Sequence, residues 1–395
     1  MAQGGNRAKM RSIDSIFLIA GWLTEPMTIR VVLPPLCQLA PLYLPETEVT
    51  QRTPAPRLVA VVTTHNRLAQ LRRTVTRLLE TPDHALHGLV VVDNASDDGT
   101  LAWLASQRDP RLHVLRLDVN SGGAGGFATG LKYARRRLDP DWALLMDDDA
   151  RPMPGVLEAF HASDPGSWDA IAGAAYRPEG QVCECNFPMR DPFASLRVFL
   201  RTALFGRKGF HLDATDYAGT EVISVDAATF VGLFLSRRAL CLGGLPDRRL
   251  FIYGDDILQT LRLSRAGGRI GFNPALHFEH DTTGPGGGMN AMPLWKIYYR
   301  YRNSLIIYRE AAGWFFPVVC MIVVPRWAFG ARGYKGQRRA YFGVLARAVW
   351  HGLRRQTAIA HDMVLLWART RPEPVPRPER RDMPRLSVIP SSEDH

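Results

Sequence analysis

The stretch Leu58-Val59-Ala60-Val61-Val62-Thr63 decides the fold. It is continuously apolar but for its last residue, rich in β-branched side chains, and shows no polar alternation. Such a run predicts a strand covered on both faces, as in a parallel sheet. Working outward, Leu68 to Leu79 carries apolar residues at helical spacing, and Leu89 to Val92 reads as a second strand. Thr100 to Ser106 is a second helix and His113 to Leu117 a third strand. Phe127 to Leu138 is a third helix whose arginine cluster suits the negative end of its dipole. Trp142 to Met146 is a fourth strand. Strands alternating with helices predict an α/β fold with a mostly parallel, Rossmann-like sheet.

Residues 1–56 have no clean period and end in the linker Thr53-Pro-Ala-Pro56, so they read as an N-terminal extension, and Met27 offers a later start. The main domain is expected over residues 57–310, with a strand-rich segment at Val222 to Phe234 and helices at Ile257 to Ala266 and Leu294 to Glu310. Residues 311–371 read as a basic helical region and residues 372–395 as a disordered tail rich in Pro and charge. Neither Ile16 to Leu23 nor Trp314 to Val324 reaches the roughly 18 to 20 apolar residues that span a bilayer. Trp314, Trp327 and Trp350 interleave with Arg326, Arg339 and Arg354, a pattern suited to an anionic membrane surface.

The chain has 395 residues, a formal net charge of +11 and 22% charged residues, which fits a globular enzyme with an acidic partner. Its five cysteines are odd in number and irregularly spaced, which argues against a disulfide framework. Cys183-x-Cys185 has no further ligands near it in sequence and reads as structural.

In an open parallel sheet, ligands bind beyond the carboxyl ends of the strands. Four polar or glycine-rich segments fall there: Thr64 to Arg67, Asp93 to Ser96, Asn120 to Phe127 and Asp147 to Asp149. Three adjacent carboxylates repel one another. Asp147 and Asp149, alternate residues of an extended segment, can converge on one hard divalent ion with a diphosphate completing its shell. Such acidic strand ends argue against nucleic acid as the partner. Asp93 is a candidate for a nucleoside and Asp98 for a helix cap. The Asn120 to Phe127 loop is expected to offer N–H groups to phosphate. Its match of Gly123, Gly125 and Ala128 to a dinucleotide fingerprint follows the third strand, not the first, which disfavours an oxidoreductase. Asp255 and Asp256 open a helix, and Asp256 is the candidate general base. His277 or His280 can add a nitrogen ligand to the metal. The loop Thr283 to Gly288 is placed to cover the donor.

Seven segments occur in one order: VAVVTTHNR (59–67), VVVDNASDDGT (90–100), NSGGAGGF (120–127), LLMDDDA (144–150), FIYGDD (251–256), HFEHD (277–281) and YYRYRNSL (298–305). Together they resemble family 2 glycosyltransferases of the GT-A fold, over about two-thirds of the chain. NSGGAGGF with the aspartate triplet looks most like bacterial galactofuranosyltransferases, with rhamnosyltransferases second. The resemblance implies a divalent cation, Mn2+ or Mg2+, held by Asp147, Asp149 and His280, the last favoured over His277 by its 24-residue step from Asp256. It implies Asp256 as base, with Asp255 beside it for the acceptor. Thr63, His65, Asn66, Arg67, Asp93, Asn120, Gly123, Ala124, Gly125 and Asp148 are the expected donor-binding residues. Leu258 stands where the family often has an acidic residue, and Arg300 where some galactofuranosyltransferases have histidine. The implied reaction is inverting transfer from a nucleotide diphosphate sugar, UDP-galactofuranose or else dTDP-rhamnose, to a glycan or lipid-linked acceptor. A non-catalytic scaffold of the same fold is the competing class. The implied setting is cytoplasmic, peripheral at the inner face of the plasma membrane, in cell-wall polysaccharide synthesis.

Overall fold

The structure is a computed structural model that describes residues 56–163, 165–281, 292–369 and 386–389. The expectations for residues 1–55, the loop 283–288 and most of the tail lie outside these residues.

Four strands, β1 (Leu58–Thr64), β2 (Gly88–Asp93), β3 (Leu112–Leu117) and β4 (Trp142–Asp147), run parallel in the order β3-β2-β1-β4. All seven residues of β1 are buried because both of its faces are covered. Leu58, Ala60 and Val62 share a core with Leu71, Val75 and Leu78 of α1 (Leu68–Leu79). Val59 and Val61 face the opposite core, with Phe127 and Leu131 of α3 (Gly122–Tyr133). Between β2 and β3 lies α2 (Thr100–Ala105). The chain steps outward from β1 to β3 and then returns to β1's other side as β4. The β1/β4 boundary is thus the topological switch point, where a doubly wound sheet opens a crevice.

Helix α3 starts five residues before the expected Phe127, so the glycines are inside the helix. They are there for packing. A Cβ on Gly126 would lie 2.1 Å from Thr63 Oγ1, and one on Gly130 2.4 Å from Val61 Cγ1. Glycine is costly in a helix, but here it lets α3 lie directly on β1 and β2.

The second half of the sheet is mixed. Beyond β4 come β8 (Leu233–Ser236), β6 (Ala170–Tyr176), β9 (Ile270–His280) and β5 (Ala150–Pro152), with β7 (Ile223–Val225) also paired to β9. Helices α4 (Val156–Ala162), α5 (Leu196–Phe205), α6 (Ala214–Tyr217) and α7 (Arg237–Leu242) lie among them. The expected strand segment 222–234 is therefore two short strands. At the β6/β9 pairing, register shifts between Gly173 and Ala174, opposite the stretch from Asn273 to His277. That bulge takes up Pro274, which cannot donate to a ladder.

Helices α8 (Asp255–Arg265), α9 (Leu294–Ala312), α10 (Phe316–Phe329), α11 (Arg338–Leu353) and α12 (His361–Trp367) complete the described chain. Tyr298 and Tyr301 of α9 share one core with Tyr341, Val344, Ala348 and Val364, so α11 and α12 are packed onto α9. Leu294 to Gly333 forms one helical run with a mean hydropathy of 1.5 in its most apolar 18-residue window, of which 11% is buried. By length and composition it is able to cross a membrane. The apolar stretch Trp314 to Val324 lies in the second half of this run, after the break at Gly313 (φ 53°) that ends α9. Residues 386–389, expected to be disordered, form β10 (Leu386–Ile389), antiparallel to β3.

Candidate active site

Asp147 is the last residue of β4, level with Thr63 of β1. The turn Asp148-Asp149 leads into β5, whose Ala150 pairs with His280 at the end of β9. That antiparallel pairing carries His280 more than 130 positions along the chain to the aspartates. Ligand atoms of Asp147, Asp149 and His280 all lie within 4.8 Å of one another. His280 Nε2 is 3.4 Å from Asp149 Oδ1. Asp149 Oδ1 is buried and accepts no well-formed hydrogen bond. A buried carboxylate oxygen met only by an imidazole at 3.4 Å, beside a second carboxylate, fits a divalent ion with mixed O and N ligands.

The charges support the same fit. Burial pushes Asp147 up to about 7, with Asp149 and Asp256 adding repulsion and His280 opposing it. Burial lowers His280, but Asp149, Cys185 and Asp147 together outweigh it and hold the imidazole at about 10. Asp149 is raised by burial, yet His280 and Arg67 draw it below the usual carboxylate range. A proton on His280 thus stands in for missing positive charge.

Asp148 departs from its expected donor role. It is buried, pushed up to about 7 mainly by burial, and turned inward, where it accepts from Thr64 Oγ1 at 2.7 Å and Arg67 Nη1 at 3.0 Å. Arg67 Nη1 also donates to Asp149 at 2.8 Å. Asp148 therefore holds Arg67 beside Asp149.

The remaining expected donor residues divide. Thr63 is buried, its Oγ1 accepting from Asn94 Nδ2 at 2.8 Å. His65 and Asn66 sit half-buried beyond β1, His65 Nδ1 donating to Asn94 O at 2.7 Å and Asn66 N to Ser96 Oγ at 3.0 Å. Asp93 exposes none of its side chain, for Arg116 and the Ser96 N–H engage its two oxygens. Asp98, expected as the cap, lies one residue before the N-cap Gly99 and accepts from Thr100 N at 3.1 Å. In the glycine segment, Asn120 Oδ1 accepts from Gly122 N at 2.8 Å, and Ala124 is buried with its N–H given to Phe251 O at 3.1 Å. Ala124 therefore has no N–H left for phosphate. Gly125 is buried, and Gly123 alone of the expected three is open, with nothing within 4 Å of its Cβ position. The segment is a packing device more than a phosphate cradle.

Asp255 and Asp256 open α8 behind a strained corner. Phe251, Tyr253 and Gly254 all have positive φ, 67°, 68° and 82°. Non-glycine residues take that conformation only when the surroundings hold them there. Here Asn303 Nδ2 donates to the carbonyls of Leu250, Ile252 and Tyr253 at 3.0, 2.9 and 2.8 Å, and buried Arg302 donates to Leu250 O at 2.9 Å. The RN of YYRYRN is thus the clamp of the aspartate corner, a role the sequence reading did not give it. Burial pushes Asp256 up to about 6 against the backbone N–H groups that lower it, and burial and Asp256 push Asp255 well above its ordinary range. Asp256 is close enough to Asp147 for each to feel the other's charge. The candidate base therefore lies within electrostatic reach of the candidate metal ligands. Lys296 of α9 lies near the same charges; burial and Arg67 lower its ammonium while Asp149 opposes them. Asn94 was likewise missed: besides Thr63, it bonds Ser121 Oγ at 2.9 Å and ties β1, β2 and α3 together.

Residues 59–167 match the family described as glycosyl transferase family 2. The chain is 32% identical over 217 residues to galactofuranosyltransferase GlfT1 of Mycobacterium tuberculosis (strain H37Rv), covering 53% of this chain and 64% of that protein. It is 31% identical over 211 residues to GlfT1 of Mycolicibacterium smegmatis, covering 53% and 65%. The chain thus spans a little under two-thirds of the length of these relatives. A solved mannosyltransferase, PcManGT from Pyrobaculum calidifontis in complex with GDP-Man and Mn2+, is 19% identical with a TM-score of 0.46, covering 80% of this chain and 86% of that one. Residues 59–167 are thus similar to glycosyl transferase family 2, and about half of the chain is similar to galactofuranosyltransferases.

Proposed function

We propose that the chain is a metal-dependent, inverting glycosyltransferase that moves galactofuranose from UDP-galactofuranose to a hydroxyl of a glycan or lipid-linked acceptor. The observation that carries this reading is the convergence of Asp147, Asp149 and His280 within electrostatic reach of Asp256. A divalent cation, Mn2+ or Mg2+, held by those three ligands supplies the charge that stabilises a leaving diphosphate. Arg67 and Lys296, both within electrostatic reach of Asp149, add fixed positive charge for the donor phosphates. Asp256, with its proton affinity raised by burial, accepts the acceptor hydroxyl's proton as the new bond forms. A base and a leaving group on opposite sides of the anomeric carbon give inversion. The galactofuranose assignment rests on the GlfT1 relatives.

The acceptor end of the reading is a membrane surface. Leu196, Leu200, Leu204 and Phe205 of α5 are exposed, as are Trp314, Met321, Ile322 and Phe329 on and beside α10. The Phe199 and Phe315 rings lie 6.0 Å apart and join the two helices into one apolar face. Arg197, Arg201, Arg207, Lys208, Arg326 and Arg332 flank it. An apolar face rimmed by cations suits the interface of an anionic bilayer. The test is a transfer assay with purified protein, UDP-galactofuranose against dTDP-rhamnose, with and without Mn2+. Product only with UDP-galactofuranose and metal is expected; metal-independent transfer, or preference for dTDP-rhamnose, overturns the reading. Separately, loss of binding to phosphatidylglycerol vesicles on changing Leu200 and Leu204 to Glu is expected, and binding unaffected by those changes rejects the membrane face.

A further inference from the structure

Cys183 and Cys185, unaccounted for so far, lie on the far side of His280 from the aspartates. The chain leaves β6, forms a bridge between Tyr176 and Val182, and returns Cys183 N to Ala175 O at 2.9 Å. A short turn of helix at Glu184–Asn186 follows, and places the pair against the end of β9. The two Sγ atoms are 3.0 Å apart, and Cys183 Sγ is 3.7 Å from His280 Nδ1. One ligand atom from each of Cys183, Cys185 and His280 lies within 4.8 Å of the others. Asn186 Oδ1 accepts from His280 Nδ1 at 2.7 Å and from Cys185 Sγ at 3.3 Å.

We propose that Cys183, Cys185 and His280 Nδ1 form a second metal site, for a thiophilic divalent ion such as Zn2+, whose filling opposes cation binding at Asp147 and Asp149. Two sulfurs and an imidazole nitrogen are the ligand set of zinc, not of Mg2+ or Mn2+. Tetrahedral zinc bonds of about 2.3 Å to sulfur and 2.0–2.1 Å to nitrogen need S···N near 3.6 Å and S···S near 3.8 Å. The first separation is already present. The second requires Cys185, which is exposed and so free to move, to swing outward by less than 1 Å. Solvent or Asn186 completes the shell.

The opposition follows from the ring. A cation at the carboxylates takes the lone pair of Nε2 and leaves a proton on Nδ1, donated to Asn186. A cation at the thiols takes the lone pair of Nδ1, displaces the protons of both thiols, and leaves the ring proton on Nε2, pointed at Asp149. Holding both ions would require the imidazole to lose its last proton. His280 therefore serves one site at a time, and zinc at the cysteines switches off the sugar-transfer site. Only this last consequence rests on the function proposed above; the thiol site stands on its own geometry.

The test uses the reduced full-length protein. Titration with Co2+ should give a thiolate-to-cobalt charge-transfer band in the near ultraviolet that saturates at one equivalent. Cys185→Ser, a near-isosteric change at an exposed position, and Cys183→Ser should each abolish it. Cys241→Ser with Cys320→Ser should leave it intact. One equivalent of Zn2+ should weaken Mn2+ binding at least tenfold more in the parent protein than in Cys185→Ser, where zinc competes only at the carboxylates. No band, a band that survives Cys185→Ser, or equal zinc sensitivity of parent and variant overturns the proposal. The cobalt band reports the thiol site whether or not Mn2+ binds the carboxylates, so failure of the two readings is told apart.

Discussion

Cation binding at the aspartates must displace protons, and the amount can be worked out. His280 is held at about 10 and Asp147 at about 7, whereas Asp149 is already ionised. A ligand is available to metal only when deprotonated. From pH 6 to pH 8, the competing proton on His280 weakens by about 10²-fold and that on Asp147 by about 10-fold. Mn2+ should therefore bind up to about 10³-fold more tightly at pH 8 than at pH 6, or about 4 kcal/mol. Near pH 7, binding should release one proton from His280 and about half of one from Asp147. Calorimetric titration with Mn2+ at three pH values, each in two buffers of different ionisation heat, measures both affinity and protons released. Affinity that is flat with pH, or binding that releases no proton, would refute the reasoning, because the cation would then not be replacing the charge on His280.

Asp256→Asn should leave UDP binding within a factor of about three and lower turnover by about 10²–10⁴-fold; turnover within tenfold of the parent removes Asp256 as the base. In the parent protein kcat/KM should fall as pH drops below about 6, where Asp256 takes up its proton and ceases to accept another; a pH profile level down to pH 5 counts against it. Asn303→Ala removes three hydrogen bonds from a strained corner and should cost about 2–3 kcal/mol, read by urea unfolding, with a larger drop in kcat than in donor affinity. Unaltered kcat would mean that the corner does not position Asp256. Gly126→Ala forces a methyl against Thr63 and should lower stability by about 1–3 kcal/mol, read as a reduced Tm; an unchanged Tm would show that α3 does not need the close approach.

The first half of the sheet was legible because β1, β2 and β4 are buried on both faces and so are written as unbroken apolar runs. The second half was not. β6 is mostly alanine and glycine, and β9 contains Pro274, so neither carries the β-branched signal of a strand. The aspartates were legible because carboxylates at a strand end have few structural uses. The meeting of His280 with them depends on β5 pairing with β9, a long-range antiparallel contact that no local pattern records. Asp148 was misassigned because alternation was applied to Asp147 and Asp149 without asking what the intervening side chain then faces. The glycine segment was misread for a different reason. Glycines that admit a phosphate and glycines that admit a strand look the same in sequence, and Gly126 and Gly130 admit a strand. Asn94, Asn303 and Asn186 act through hydrogen bonds to distant backbone or ring atoms, which leave no mark in spacing.

Everything turns on where the cation sits. Crystals of the protein soaked with Mn2+ and UDP, with anomalous data collected at the manganese edge, locate it directly. The account predicts one strong peak about 2.0–2.3 Å from oxygens of Asp147 and Asp149 and from His280 Nε2, with diphosphate oxygens completing the shell. A peak elsewhere, or bound UDP with no manganese between it and the aspartates, would contradict it.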